Sequence, residues 1–258
     1  MENQAKEQPI IRDNIVLQAK DLGRSFDPGV WTFKHLNLVL ERGEFAAILG
    51  LSGSGKTTLF NLLAGLDKPD EGCVEVKEAI GYMMQKDLLL PWKRVVNNIA
   101  LPLTMRGMSK KDSQAEVEKH LAAFGLEGLE RRWPAQLSGG ERQRAALLRT
   151  YLYAGNILLL DEPFSGLDAI TREHMQTWLK KIKEEFRLTI LLITHDIDEA
   201  IDLADTIHVL SPHPPASLHP PIAITEREST ELRSQIRRLI YTNIGHDGVE
   251  ADFDNGSV

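Results

Sequence analysis

The stretch Gly50-Leu51-Ser52-Gly53-Ser54-Gly55-Lys56-Thr57 constrains this chain more than any other. Before it, Phe45-Ala46-Ala47-Ile48-Leu49 is a short apolar run of the kind that forms a strand buried on both faces. After it, Leu59, Leu62, Leu63 and Leu66 recur at i, i+3, i+4 and i+7 and predict an amphipathic helix. The chain must therefore turn from strand to helix within a few residues. Lacking Cβ atoms, Gly50, Gly53 and Gly55 let backbone N–H groups converge there. The point of convergence is a helix N-terminus, where the dipole favours an anion. Such a loop, running on to Thr58, cradles phosphates; Lys56 can reach the outer ones and the Thr57 hydroxyl can ligate Mg²⁺. A glycine-rich turn without a ligand is the competing reading, and the flanking strand and helix weigh against it.

Further strands and helices follow in alternation. Ile15–Ala19 and Leu36–Leu40 read as strands, with Asp21–Gly29 a loop between them. Cys73–Val76 and Ala79–Met84 are short strands after the first helix. From about Val95 to Leu152 the pattern turns helical, with a capping pattern at Ser109–Asp112 and a stop at Gly125. Ile157–Asp161 and Thr189–Thr194 are buried strands around a helix at Ala169–Phe186, and Ile207–Leu210 is one more strand. This alternation implies an α/β fold with a mainly parallel sheet and helices on both faces. Ser211–Pro221 then holds five of the twelve prolines, a linker or extended crossing. Glu226–Tyr241 is a charged helix, and residues 245–258 are a polar tail.

Three other places carry chemistry. Asp161 ends a buried strand and can hold Mg²⁺; the adjacent Glu162 can orient or deprotonate an attacking water, although an acidic turn would look the same in isolation. His195 also follows a strand, on the edge where parallel sheets bind ligands. It reads either as a structural histidine or as a contact to a terminal phosphate. Leu137-Ser138-Gly139-Gly140-Glu141 is a second anion site at a helix N-terminus, or else a flexible cap. A reason for two anion sites in one chain is a sandwich dimer, each Ser-Gly-Gly closing over the nucleotide held by the other subunit.

In this order, the residues resemble the ATP-binding subunits of ABC transporters over roughly residues 15–210. Gly50–Thr57 matches the Walker A loop, Gln85 the Q-loop residue, and Leu137–Glu141 the signature. Ile157–Asp161 matches Walker B with Glu162 as catalytic base, Ser165–Asp168 the D-loop, and His195 the switch histidine. The resemblance implies that Phe26 stacks on adenine and that Gln85 senses metal and water. It further implies that Ser138, Gly139, Gly140 and Asp168 act at the nucleotide of a partner subunit. It implies a P-loop NTPase (RecA-like) core, a small antiparallel β part and an inserted α-helical subdomain. The expected division is 1–13 leader, 14–210 ATPase domain with the helical part at about 88–152, and 211–258 linker, helix and tail. Gln85–Trp92, Asn97–Leu103 and Asp161–Met175 resemble the nitrate/sulfonate/taurine importer group, which includes importers of thiamine-precursor pyrimidines. The segment after Leu210 lies outside the resemblance.

Implied cofactors are ATP and Mg²⁺. Implied partners are a second nucleotide-binding subunit, an integral membrane permease and, indirectly, a solute-binding protein. Leu88-Leu89-Leu90-Pro91-Trp92 is apolar enough to be either core or a partner contact. A net charge of -7 argues against nucleic acid as a main partner. The single cysteine, Cys73, excludes an internal disulfide and fits a reducing compartment. Residues 1–13 carry no apolar signal core, and no run approaches the ~20 apolar residues of a membrane span. The expected place is the cytoplasm, peripheral on the inner face of the membrane through the permease. A soluble ABC ATPase that remodels a macromolecular complex is the alternative. A regulatory module with a dead site is less compatible with Lys56, Asp161, Glu162 and His195 occurring together.

Overall fold

The computed structural model describes residues 14–27, 29–227 and 229–241. The leader at 1–13 and the tail at 245–258 lie outside them. Among the described residues the strands form two sheets. One is antiparallel, in the order β2-β1-β4, from β1 (Ile15–Asp27), β2 (Val30–Glu41) and β4 (Glu71–Val76). The other runs β5-β6-β7-β3-β8-β9, from β3 (Phe45–Leu49), β5 (Ile80–Met83), β6 (Ile157–Asp161), β7 (Thr189–Thr194), β8 (Thr206–Val209) and β9 (Ile222–Ala223). Its strands are parallel except for β9, which runs antiparallel to β8.

Every residue of β3, β6 and β7 is buried, which is why these strands read as unbroken apolar runs. Alternate side chains enter two cores. Phe45, Leu49, Leu158, Leu160 and Leu192 pack with the long helices, α4 (Lys110–Leu121), α5 (Gly139–Ala154) and α6 (Ala169–Phe186). Ile48, Leu159, Leu191 and Ile193 pack with α1 (Lys56–Leu63) and the antiparallel sheet. Phe124, fully buried, joins the helical side: its ring meets Trp178 at 5.7 Å and Phe186 at 5.5 Å. Ser109 caps α4 as its sequence suggests, its hydroxyl accepting from the Asp112 N–H at 3.1 Å. The helical stretch also contains α2 (Val95–Ile99) and α3 (Leu101–Met105).

Three local expectations are corrected. Asp21–Gly29 is largely strand, because Arg24, Ser25 and Asp27 pair with Phe33, Trp31 and Val30 across register shifts that their polar composition hides. The first helix stops at Leu63: Gly65 adopts φ +70 and its N–H caps the Leu62 carbonyl at 3.1 Å, leaving Leu66 past the end and exposed. The charged helix, α8 (Thr230–Tyr241), begins four residues later than Glu226. Arg227 is drawn off instead to the carbonyls of Ile201 and Asp202 on α7 (Ile197–Leu203), and Ser229 accepts from the Leu232 N–H at 3.2 Å. The proline-rich segment crosses beside β2, where the Ala216 N–H donates to the Thr32 carbonyl at 2.8 Å.

His208 on β8 is buried with its Nε2 unpaired, and burial pushes its imidazole down to about 4. The unfolded chain therefore takes up this proton first, so the stability it supports is full above the ordinary histidine range and is lost as pH falls toward the folded value. Urea denaturation should show wild type losing about 2 kcal/mol relative to His208→Leu between about pH 7 and pH 5. Parallel losses in the two proteins would exclude His208 as the source.

Candidate active site

The parallel register sets the site. Leu49 pairs with Thr194 and Asp161 with Ile193, so the residues that follow β3, β6 and β7 emerge side by side at the carboxyl edge. There a cleft of about 500 Å³ is lined by Ser52, Gly53, Gly55, Lys56, Thr57 and Thr58 from the loop and start of α1. Gln85, Asp161, Glu162 and His195 complete its wall. A roomier cleft of about 720 Å³ beside His208 and His219 holds none of these groups.

Gly53 and Gly55 sit at φ +82 and +94, a region that side-chain-bearing residues avoid. A Cβ on Gly55 would also lie 2.8 Å from the Thr32 methyl. Lys56 is buried and donates to the carbonyls of Gly50 and Leu51, each at 2.8 Å. Burial lowers its pKa, and the charges of Glu162 and Asp161 act the other way. The Thr57 hydroxyl lies 3.3 Å from Asp161 Oδ2, and the Tyr82 hydroxyl donates to the same oxygen at 3.3 Å. Burial raises the Asp161 pKa against those two hydrogen bonds. Glu162 is held at both oxygens: Gln85 Nε2 donates to Oε2 at 3.2 Å and His195 Nδ1 lies 3.2 Å from Oε1. Its backbone adopts φ +45, a conformation that costs on the order of 1 kcal/mol or more for a residue with a side chain. The Glu162 N–H donates to the Ile193 carbonyl at 3.0 Å and its carbonyl accepts from Ser165 at 3.0 Å, which holds that turn.

The other expected residues stand apart from this cleft. Phe26, 64% exposed at the end of β1, carries the Arg24 guanidinium over its ring at 5.0 Å. Ser138 caps α5, with the Glu141 carboxylate closing the box by accepting from the Ser138 N–H at 2.6 Å. Gly139 and Gly140 form the first turn; Gly139 packs on Leu167, where a Cβ would lie 2.9 Å from the leucine methyl. Asp168 caps α6 through Thr171. Ser54 is buried beside Gly50 with its hydroxyl unpaired.

Sequence reading missed the residues that hold these parts together. Arg149 donates to the carbonyls of Asp87 and Leu88, and Arg142 lies 3.3 Å from the Asp87 carboxylate. The pair anchors the stretch after Gln85 to α5; their i, i+7 spacing was the available signal. Tyr82 gave none, since a tyrosine on a strand is ordinary.

Residues 33–165 match the family described as ABC transporter. The chain belongs to the ABC transporter family of ATP-binding proteins. It is similar to the formylaminopyrimidine import ATP-binding protein ThiZ of Halalkalibacterium halodurans, at 41% identity over 82% of this chain and 87% of that one. It is 45% identical to an aliphatic sulfonates import ATP-binding protein, SsuB 2 of Frankia alni, over 74% and 75% of the two chains. Its fold matches the dimeric ATP-binding cassette MJ0796 bound to ADP and Pi, with a TM-score of 0.70 at 29% identity, over 81% of this chain and 99% of that one. The P-loop architecture, with its parallel and antiparallel sheets, is therefore that of an ABC ATPase.

The clamped carboxylate and the buried lysine give separable expectations. Glu162→Gln should cut ATP turnover by about 100-fold or more while ATP still binds. Lys56→Ala should weaken ATP binding itself. Radiolabelled ATP binding and phosphate release, measured on both variants, check this; turnover retained by Glu162→Gln contradicts the reading of the cleft.

Proposed function

We propose that this chain is the ATP-hydrolysing subunit of an ABC importer for a small solute of the sulfonate or pyrimidine-precursor type. The observation that carries the catalytic part is Glu162, gripped on both oxygens beside the phosphate loop. The importer class rests on the two import proteins to which the chain is similar.

Phosphates lie on the N–H groups of Gly50–Thr58, with adenine against Phe26. Lys56 meets the outer phosphates, where their charge favours its protonated form. The Thr57 hydroxyl, the Asp161 carboxylate and the Gln85 amide are hard oxygen donors that converge, which suits Mg²⁺. When bound, Mg²⁺ would neutralise charge on the β- and γ-phosphates. Glu162 accepts the proton of the attacking water, and Gln85 and His195 fix the direction of its oxygens. His195 and Lys56 stabilise the charge of the transferring phosphoryl group.

Ser138, Gly139, Gly140 and Asp168 lie outside the cleft of their own chain, so their role is in trans. A second copy, turned head to tail, brings the N-terminus of α5 to the γ-phosphate. Dimeric cassettes of similar fold support this arrangement.

The permease would dock on a groove of about 410 Å³ between the sheet edge and the helical layer. Leu66, Met84, Met105 and Tyr153 line it and are all exposed. The expected contact at Leu88–Trp92 divides here. Leu89 is core and Asn98 bonds the backbone of Leu90 at 2.7 and 3.1 Å, while Leu88, Pro91 and Trp92 are exposed. No helix among the described residues is long and apolar enough to cross a membrane. Attachment to the inner membrane face would thus run through the permease.

Affinity capture of tagged protein from detergent-solubilised membranes should recover a multi-span protein at about one-to-one. Met105→Asp should lose that partner and keep ATP binding. Recovery of soluble partners alone from folded, ATP-binding protein would favour a soluble ABC ATPase acting on a macromolecular complex.

A further inference from the structure

Next to His195 lies a polar cluster that the mechanism above does not use. Asp196 caps α7, its Oδ1 accepting from the N–H groups of Asp198 and Glu199 at 3.0 and 3.1 Å. Its own N–H donates to the Thr194 hydroxyl at 3.0 Å, so the residues on either side of His195 are bonded to each other. Arg172, in the first turn of α6, places Nη1 3.7 Å from Asp196 Oδ2. The same guanidinium donates through Nη2 to the Leu167 carbonyl at 3.3 Å, in the loop that ends at Asp168. One arginine thus spans the Asp168 loop and the His195 loop.

Two buried polar atoms in this cluster have no partner: the donor Arg172 Nε and the acceptor Glu199 Oε1. Glu199 is only 7% exposed, and an unpaired carboxyl oxygen at such a site is costly. Burial, then the Asp196 charge, pushes the Glu199 carboxyl up to about 7, while Thr194 and Arg172 draw it down and Glu162 adds to the rise.

We infer that Arg172 and Glu199 are positioning residues for His195: as the dimer closes on nucleotide, the Asp168 loop moves, Arg172 Nε engages Glu199 Oε1, and the His195 loop is fixed against the γ-phosphate. This rests on the ATPase reading above and adds a link within one chain, from the segment that meets the second copy to the histidine that meets the phosphate. It gives each unpaired atom the other as its partner in the closed state. Neither residue touches substrate; both act through Asp196 and the start of α7.

A double-mutant cycle on the full chain tests it. Arg172→Lys keeps the charge without the Nε–H, and Glu199→Gln keeps the shape without the charge. Each should lower kcat for ATP about tenfold with KM changed less than about twofold, and the double variant should fall about tenfold as well, not 100-fold. The groups facing Glu199 are Asp196 and Thr194 on its own loop, Arg172 on α6 and Glu162 at the end of β6. Glu199 is raised to about 7, so the wild-type kcat profile should carry a limb near pH 7 that Glu199→Gln lacks. Multiplicative losses, unchanged kcat in either single variant, or a profile that survives Glu199→Gln would overturn the link. A merely structural role would lower the melting temperature without moving the profile. Turnover of Glu162→Gln is measured alongside. If it persists, the assignment of the base fails; if it is abolished while Arg172 and Glu199 act independently, only the link between them fails.

Discussion

The whole site depends on the parallel register of β3, β6 and β7. Parallel pairing brings the carboxyl ends of neighbouring strands to one edge, and here Leu49 ends level with Thr194 while Asp161 ends one residue short of it, beside Ile193. The phosphate loop, the acidic pair and His195 need no long side chains to meet, because the hydrogen-bond ladders already place their backbones together. A slip of one residue in β6 would turn Asp161 from one face of the sheet to the other and detach it from Thr57. Complete burial of these strands makes such a slip expensive, since each would present the wrong side chains to both cores.

Function then follows from how little the frame leaves undecided. Glu162 sits in a conformation that a side-chain-bearing residue avoids, held by backbone bonds to Ile193 and Ser165. Its carboxylate is therefore aimed by the fold, and Gln85 and His195 need only trim the direction. Arg142 and Arg149 tie the Gln85 segment to α5, the helix that opens at Ser138. The part of the chain expected to sense nucleotide and the part expected to close over a neighbour's nucleotide thus share one helix. Mechanical coupling between the phosphate site and the apolar groove at Leu66 and Met105 has a short physical route, because the groove is walled by the same helix through Arg149 and Tyr153.

Much of this was legible in the sequence, for a definite reason. Buried parallel strands announce themselves as apolar runs, and the groups at their ends are short-range in sequence: Gly50–Thr57, Asp161–Glu162, and His195 after Thr194. The capping serines at 109 and 138 also act within a few residues. What could not be read was pairing at a distance. That Tyr82 meets Asp161, or Arg172 meets Asp196, depends on which strands lie side by side, and nothing local encodes it. Polar segments misled for the same reason. The Arg24–Asp27 stretch looks like loop and becomes strand only because β2 lies beside it, and Leu66 fits the helical stripe although Gly65 has already ended the helix.

If the proposed dimer is right, each phosphate site is finished by the Ser138 helix of a second copy. Sedimentation velocity of the Glu162→Gln protein, with and without ATP and Mg²⁺, tests it most directly. The protein should be a monomer without nucleotide and a dimer with it, and should return to monomer when Ser138→Arg is added although ATP stays bound. A protein that binds ATP and remains monomeric in every case, or a dimer indifferent to Ser138→Arg, would contradict it.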